Sequence, residues 1–152
     1  MDSILRRPSD IQASGLTVIG EARGEELKGQ IAVVQVIGHR VKDRRWQNTD
    51  REVCLQAQQF SCWNDDDPNS IVLLEYAKMI LGIKTAPLLP PVISRALTVA
   101  ESVISGHTVD LVKGSCHYHT KNLLGTPKLP KWARGRTPVV IIGNHAFYND
   151  VP

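Results

Sequence analysis

The chain has 152 residues, of which 42% are hydrophobic and 22% charged, and its net charge at pH 7 is +3. These values are typical of one globular domain over residues 1–152 and exclude a disordered chain. The weak, dispersed positive charge lacks the basic stripe of a nucleic-acid-binding protein, so no nucleic acid is expected as a partner.

The chain begins with a predicted N-terminal extension over residues 1–12. A short helix is expected over 12–21, with Ser14 or Gly15 near its start. A long helix is predicted over 26–44, because apolar side chains recur there every three or four residues. Its apolar stripe consists of Leu27, Ile31, Val34, Ile37 and Val41.

Capping residues, prolines and glycines predict three further helices. Asp50 suits the start of a short helix that ends near Gln56. A helix over 70–81 follows a polar turn and should end at Gly82, while another should run from Pro91 to Gly106. The first two thirds of the chain are therefore predicted to be helical.

The last third has the pattern of short strands. Residues 115–120 alternate, 137–142 are mostly β-branched, and 146–148 are partly aromatic. Residues 122–136 contain prolines, glycines and basic side chains and are predicted to form a loop. The fold class is therefore a mainly helical, single α+β domain with a small antiparallel β element near the C-terminus.

Cysteine usage and the N-terminal sequence suggest where the protein is made. Cys54, Cys62 and Cys116 form no CxxC pair, so neither a disulfide framework nor a thiolate zinc site is expected. The N-terminal residues contain no apolar run, and no apolar stretch approaches the length of a membrane span. We expect a monomer made in the cytoplasm without a signal peptide and without membrane insertion.

Glu21 is the strongest candidate for a catalytic residue. It ends an apolar segment, and an apolar surrounding disfavours the charged form of a carboxyl group. A general acid for glycosidic cleavage needs that environment, although a capping glutamate on a surface helix fits Glu21 taken alone. Glu25 lies four residues later and is expected to cap the long helix or to pair with Arg23.

A second group combines aromatic and amide side chains between Gln58 and Asn64. Aromatic rings stack on sugar rings, and amides hydrogen-bond to acetamide and hydroxyl groups. Gln59, Trp63 and Asn64 are therefore predicted to line an amino-sugar groove, whereas Phe60 is expected in the core.

A third group consists of His117, Tyr118 and His119, with His145 and Tyr148 further along. On a strand, two histidines separated by one residue lie on the same face. With His145 or a cysteine as a further ligand they would form a zinc site, and alternating histidines also occur as polar groove walls. The residues alone do not decide between a zinc site and a groove wall.

Together these blocks resemble the catalytic domain of the cell wall hydrolase family named for the spore cortex-lytic enzyme SleB. The matching residues are Gly20 to Glu25, Gly29-Gln30, Ala32-Val33, Val36-Ile37, Arg40-Val41, Gln59 to Trp63, His117 to His119, Trp132-Ala133, and Ile142-Gly143 through Phe147-Tyr148. The chain departs from the pattern at His39, where the family usually has asparagine.

The resemblance implies a lysozyme-like domain that cleaves peptidoglycan between N-acetylmuramic acid and N-acetylglucosamine, usually as a lytic transglycosylase. It places the catalytic glutamate at Glu21 and requires neither a metal nor a cofactor. The implied substrate-binding residues are Glu25, Gln59, Trp63, Asn64, His117, Tyr118, His119, His145 and Tyr148. A compact lytic domain without an export signal resembles a phage endolysin. Such an enzyme leaves the host cytoplasm for the cell wall after a holin opens the membrane.

Three alternatives remain from the sequence. The first is a hydrolytic muramidase that uses the same glutamate. The second is a zinc-dependent N-acetylmuramoyl-L-alanine amidase with His117, His119 and His145 as ligands. The third is a wall-binding module without activity, consistent with the basic charge and the tryptophans.

Overall fold

The computed structural model describes residues 2–57 and 59–152, so the prediction for Gln58 lies outside the described residues. Within these ranges there are five α-helices: α1 (Asp10–Ala22), α2 (Leu27–Lys42), α3 (Asp50–Leu55), α4 (Pro68–Ile80) and α5 (Pro91–Ile104). In the same part of the chain, no helix is both long and apolar enough to span a membrane.

Helix α1 begins earlier than the sequence analysis expected. Ser9 is its N-cap, and the Ser9 hydroxyl accepts a hydrogen bond from the Gln12 amide at 3.3 Å. The Gln12 side chain accepts one from the Ser9 amide at 2.9 Å, which completes a capping box. Ser14 and Gly15 are buried inside the helix, so the prediction that they lie near its start is wrong.

The predicted helix ends at the later glycines are confirmed. Gly82 and Gly106 follow α4 and α5 with φ of +69° and +75°, a conformation that glycine adopts without strain. Pro68 and Pro91 occupy the first turns of the same two helices, where a missing amide hydrogen costs nothing.

The C-terminal third forms a small antiparallel sheet. Strands β1 (His117–Thr120), β2 (Val140–Ile142) and β3 (His145–Tyr148) lie in the order β1-β3-β2. The register pairs Tyr118 with Phe147 and His119 with Ala146. Short 3-10 turns at Lys121–Leu123 and Lys131–Ala133 interrupt the long loop between β1 and β2. The predicted mainly helical α+β architecture is confirmed.

Helix α1 lies at the centre of the helical part and contacts the four other α-helices. Leu16, Val18 and Ile19 are fully buried in the main core. Because neighbours surround α1, the side chains at its C-terminal end emerge where α2, the segment around Cys62 and the sheet come together. This junction holds the candidate site.

Candidate active site

The Glu21 carboxylate is held at both oxygens by groups from distant parts of the chain. Its Oε1 accepts a hydrogen bond from the Cys62 backbone amide at 3.3 Å. Its Oε2 accepts one from the Tyr118 hydroxyl at 3.5 Å. Glu21 is half-buried, so it does not project into bulk solvent. The structure thus brings together the candidate acid and one of the predicted groove residues.

Gly20 allows this close approach. A Cβ at position 20 would overlap the Cβ and Sγ of Cys62, which is fully buried. The absence of that Cβ lets the 3-10 turn Ser61–Trp63 lie directly on the end of α1. The Cys62 amide can therefore reach the carboxylate of the next residue in the helix.

Tyr118 remains a neutral hydroxyl group beside the carboxylate. Burial, followed by the nearby charge of Glu21, raises the Tyr118 pKa well above its ordinary value. A neutral phenol can donate a hydrogen bond to a carboxylate and accept one from a carboxylic acid. Tyr118 can therefore serve Glu21 in both of its protonation states.

Glu25 contributes a second carboxylate near the sheet. Its Oε1 accepts a hydrogen bond from the Asn144 amide at 3.2 Å and lies 3.8 Å from Nδ1 of His145. A Cβ at Gly143, which has a φ of +57°, would overlap Oε2 of Glu25. The turn between β2 and β3 therefore wraps around this carboxylate.

The predictions that Glu25 caps α2 or pairs with Arg23 are wrong. The N-cap position of α2 belongs to Glu26, and no side chain makes a capping hydrogen bond there. Arg23 instead donates to Asn69 Oδ1 at 2.7 Å and to the Ile19 carbonyl. The close packing of Gly143 draws the Glu25 carboxylate to the hairpin turn instead.

His145 is a buried imidazole between the two carboxylates and the sheet. Burial lowers its pKa, and the negative charges of Glu25 and Glu21 oppose that shift. Its ring packs edge-on against Tyr118 with centroids 5.0 Å apart. Within the described residues, His145 Nδ1 has no hydrogen-bond partner. This leaves a buried polar atom facing Glu25.

The predicted histidines divide between two faces of the sheet. Tyr118 and His145 face Glu21 and Glu25, whereas His117 and His119 lie on the opposite face against Trp132. Both ring nitrogens of His119 have partners, the Tyr148 hydroxyl at 2.9 Å and the Thr120 carbonyl at 2.8 Å.

The proposed zinc ligand set is therefore wrong. His145 lies across the sheet from the other two histidines, and His119 has no free nitrogen for a metal. Across residues 2–57 and 59–152, no three His, Cys, Asp or Glu side chains converge in a way that suits a metal ion.

Comparison with known proteins identifies the family. Residues 24–148 match the family described as Cell Wall Hydrolase. The chain belongs to this cell wall hydrolase family. Its fold is similar to the catalytic domain of SleB from Bacillus cereus, with 25% identity, a TM-score of 0.61, and coverage of 91% of this chain and 88% of that one.

The fold of this chain is also similar to the catalytic domain of the germination-specific lytic transglycosylase SleB from Bacillus anthracis. That comparison has 25% identity, a TM-score of 0.64, and coverage of 91% of this chain and 92% of the other. No curated protein gives a significant match. The SleB-type, lysozyme-like fold that the resemblance implied is thus confirmed.

Trp63 is a core residue, so the prediction that it lines an amino-sugar groove is wrong. It is 3% exposed, and its indole nitrogen donates to the Thr17 hydroxyl at 2.9 Å. Phe60 is buried as predicted. Asn64, which follows Trp63, is half-buried, and Gln59 accepts a hydrogen bond from the Trp46 indole at 3.1 Å. Among the described residues of this group, the hydrogen bond to Glu21 comes from the Cys62 amide and from none of the predicted groove side chains.

Arg40 is a buried charge to which the sequence analysis assigned no role. Its Nε donates to the Cys116 carbonyl at 2.8 Å, and its guanidinium lies 4.9 Å from the Phe60 ring centre. Burial lowers its pKa, while Tyr118, the nearby thiols and Glu21 oppose that shift. The position in the last turn of α2 gave no signal for burial, because cations are common there as solvent-exposed residues.

Proposed function

We propose that this enzyme cleaves the glycan strand of peptidoglycan between N-acetylmuramic acid and N-acetylglucosamine, as a lytic transglycosylase with Glu21 as its acid and base. The observation that carries the proposal is the two-point support of the Glu21 carboxylate by Cys62 and Tyr118. The family match begins at residue 24, after Glu21, so the role of Glu21 is argued from this geometry.

In the first step, protonated Glu21 donates its proton to the bridging glycosidic oxygen. The bond from that oxygen to C1 of the muramic acid breaks, and positive charge develops at C1. Oε1 accepts the Cys62 amide hydrogen, so the acidic proton resides on Oε2, beside the Tyr118 hydroxyl. Tyr118 accepts a hydrogen bond from that proton before transfer and donates one to the carboxylate afterwards.

In the second step, the Glu21 carboxylate takes the proton from the 6-hydroxyl of the same muramic acid. The freed oxygen attacks C1 and closes a 1,6-anhydro ring, which restores the acid form of Glu21. This route uses one carboxylate and no water. Because Tyr118 stays neutral, it adds no negative charge of its own beside the Glu21 carboxylate.

Glu21→Gln tests the role of this residue. The variant should lose the ability to clear a suspension of purified sacculi by more than a hundredfold, since the amide keeps the shape but has no acidic proton. Glu26→Gln is the matched control, because Glu26 is exposed and makes no capping bond. Equal losses in both variants, or activity retained by Glu21→Gln, would contradict the assignment.

Mass analysis of the released fragments identifies the reaction. A transglycosylase releases anhydro-muropeptides, which are one water lighter than reducing-end fragments. Reducing-end fragments alone would identify a hydrolytic muramidase and contradict the transglycosylase assignment. Free amines on the stem peptides would contradict glycan cleavage itself, since an amidase exposes such groups.

Hydrolysis is a second candidate because of Glu25 and His145. A hydrolase needs a group that accepts a proton from water, and Glu25 lies 3.8 Å from His145 Nδ1, a buried atom with no hydrogen-bond partner among residues 2–57 and 59–152. Glu25→Gln should abolish reducing-end fragments and leave anhydro fragments if Glu25 activates water. An unchanged ratio of the two products would exclude this role.

The biological setting is part of the proposal. The enzyme is made in the cytoplasm as a monomer and reaches the wall as a phage endolysin, after a holin opens the membrane. Its net charge of +3 favours approach to an anionic wall. Expression alone should leave host cells intact, and co-expression with a holin should lyse them. Lysis without a holin would contradict this setting.

A further inference from the structure

Three partly exposed rings from separate segments meet on the side of the sheet opposite Glu21. They are Trp46 from the α2–α3 connection, His117 from β1, and Trp132 from the 3-10 turn Lys131–Ala133. The His117 ring lies 5.4 Å from the Trp46 ring and 5.1 Å from the Trp132 ring, centre to centre. We call these three residues the aromatic cluster.

Neighbouring side chains fix the two tryptophans in place. The Trp46 indole donates to Gln59, and the Arg45 guanidinium lies 4.7 Å from its ring centre. Trp132 packs edge-on against Tyr148 with centroids 5.3 Å apart. The rings are therefore held in position before any ligand arrives, which reduces the entropy lost on binding.

His117 gives the aromatic cluster a polar centre. Burial, followed by the charges of Arg40 and Arg45, lowers its pKa to about 4. At neutral pH the ring is uncharged and offers one donor and one acceptor. The hydrogen bonds among the described residues include none to either His117 nitrogen. Aromatic rings around an uncharged donor and acceptor suit the apolar face and hydroxyl groups of a sugar.

The loop that carries Trp132 is positively charged. Lys128, Lys131 and Arg134 are exposed, and the ion pairs found within residues 2–57 and 59–152 include none of them. Arg134 makes a hydrogen bond to the Leu129 carbonyl and keeps its charge unpaired. These cations complement a ligand that carries carboxylates.

We propose that the aromatic cluster binds an amino-sugar ring of the glycan strand whose substituents carry carboxylates, at a position away from the bond that is cleaved. Tyr118 and His117 are consecutive on β1 and face opposite sides of the sheet, so a sugar on the cluster is not one of the two flanking the scissile bond. The cluster thereby holds the enzyme on its polymer. This inference rests on the proposed function for the identity of the polymer.

The tryptophans provide a direct binding assay. In the Glu21→Gln background, soluble un-crosslinked glycan fragments with stem peptides should change the indole emission. Trp63 is an internal control, since it is buried, and the variant Trp46→Phe/Trp132→Phe retains only its emission. That variant should show no emission change with the same fragments. The proposal would be overturned if the double variant, in which only Trp63 emits, still showed the emission change. It would also be overturned if the Glu21→Gln protein with all three tryptophans showed no change.

Co-sedimentation with purified sacculi measures the contribution of the rings. In the same background, Trp132→Leu should weaken binding by roughly three- to tenfold, the usual worth of one aromatic stack. Trp132→Phe should restore most of that loss, and thermal unfolding must show that both variants are folded. An unchanged affinity in a folded Trp132→Leu variant would contradict the proposal.

Variants of the charged residues distinguish a sugar ligand from a purely anionic polymer. Lys128→Ala/Lys131→Ala should weaken binding to sacculi and reduce its salt dependence. If these changes abolish binding while the tryptophan variants leave it unaltered, the surface binds an anionic polymer and the sugar proposal fails. Each of these experiments measures binding without turnover. Failure of the binding proposal is therefore distinguishable from failure of the glycan-cleavage proposal.

Discussion

Replacing Gly20 with alanine tests whether close packing at the end of α1 builds the site. In most helices this change adds about 0.5–1 kcal/mol of stability, because alanine loses less backbone entropy on folding. Here the new Cβ would overlap the Cβ and Sγ of Cys62, and a second neighbour, Leu73 Cδ1, lies 3.6 Å away. Overpacking of this kind costs about 1–3 kcal/mol.

The two effects together predict that Gly20→Ala loses up to about 2.5 kcal/mol of unfolding free energy and gains none. Activity should fall as well, because the Cys62 amide must move away from Glu21. Gly38→Ala is the matched control: Gly38 lies inside α2 and a Cβ there would meet nothing within 4 Å. The unfolding free energy of Gly38→Ala should rise by about 0.5–1 kcal/mol.

Urea unfolding at fixed pH measures both free energies, and clearing of sacculi measures activity. If Gly20→Ala were as stable as Gly38→Ala, the contact with Cys62 would not constrain the helix end, and the reasoning would be refuted. A stable Gly20→Ala variant with full activity would also remove the Cys62 amide from the site. Cys62→Ala should not rescue Gly20→Ala, because the Cβ of residue 62 also overlaps.

Three further changes test other parts of the structure. Tyr118→Phe removes the hydroxyl that contacts Glu21 and should lower kcat about tenfold with little change in the melting temperature. His117 has a pKa lowered from 6.5 to about 4, so the stability it confers is complete above pH 6.5 and lost as the pH falls through 4. His117→Asn should therefore flatten the pH dependence of the unfolding free energy across that window in urea titrations. Ser9→Ala breaks the capping box with Gln12 and should lower the urea unfolding free energy by about 1 kcal/mol.

The spacing of apolar residues and the positions of prolines and glycines were enough to predict most of the fold. The apolar repeat of α2 depends on local geometry, and Gly82 and Gly106 end their helices through their own backbone conformations. Glu21 could also be singled out as a candidate, since it lies at the end of an apolar segment that is buried in the structure, and its catalytic role stays a prediction. The start of α1 was missed because Ser9 precedes a stretch with no apolar repeat of its own.

Contacts between distant segments could not be predicted from local pattern. Trp63 lies among polar neighbours in the sequence, yet its indole reaches Thr17 in the core. Glu25 was assigned to its nearest helix and cation, whereas its partners are at residues 144 and 145. Both outcomes depend on glycines, Gly20 and Gly143, whose missing side chains admit a remote segment. Their effect depends on what packs against them.

The hairpin turn at Gly143 and Asn144 ties the assembly of the candidate site to the order of synthesis. Glu25 and Asn144 are separated by 119 positions along the chain, and Glu21 and Tyr118 by 97. A ribosome-bound chain can assemble its helices early, and the Cys62 amide is available to Glu21 at that stage. Tyr118 and Asn144 reach Glu21 and Glu25 only after β1 and the turn before β3 have been synthesised.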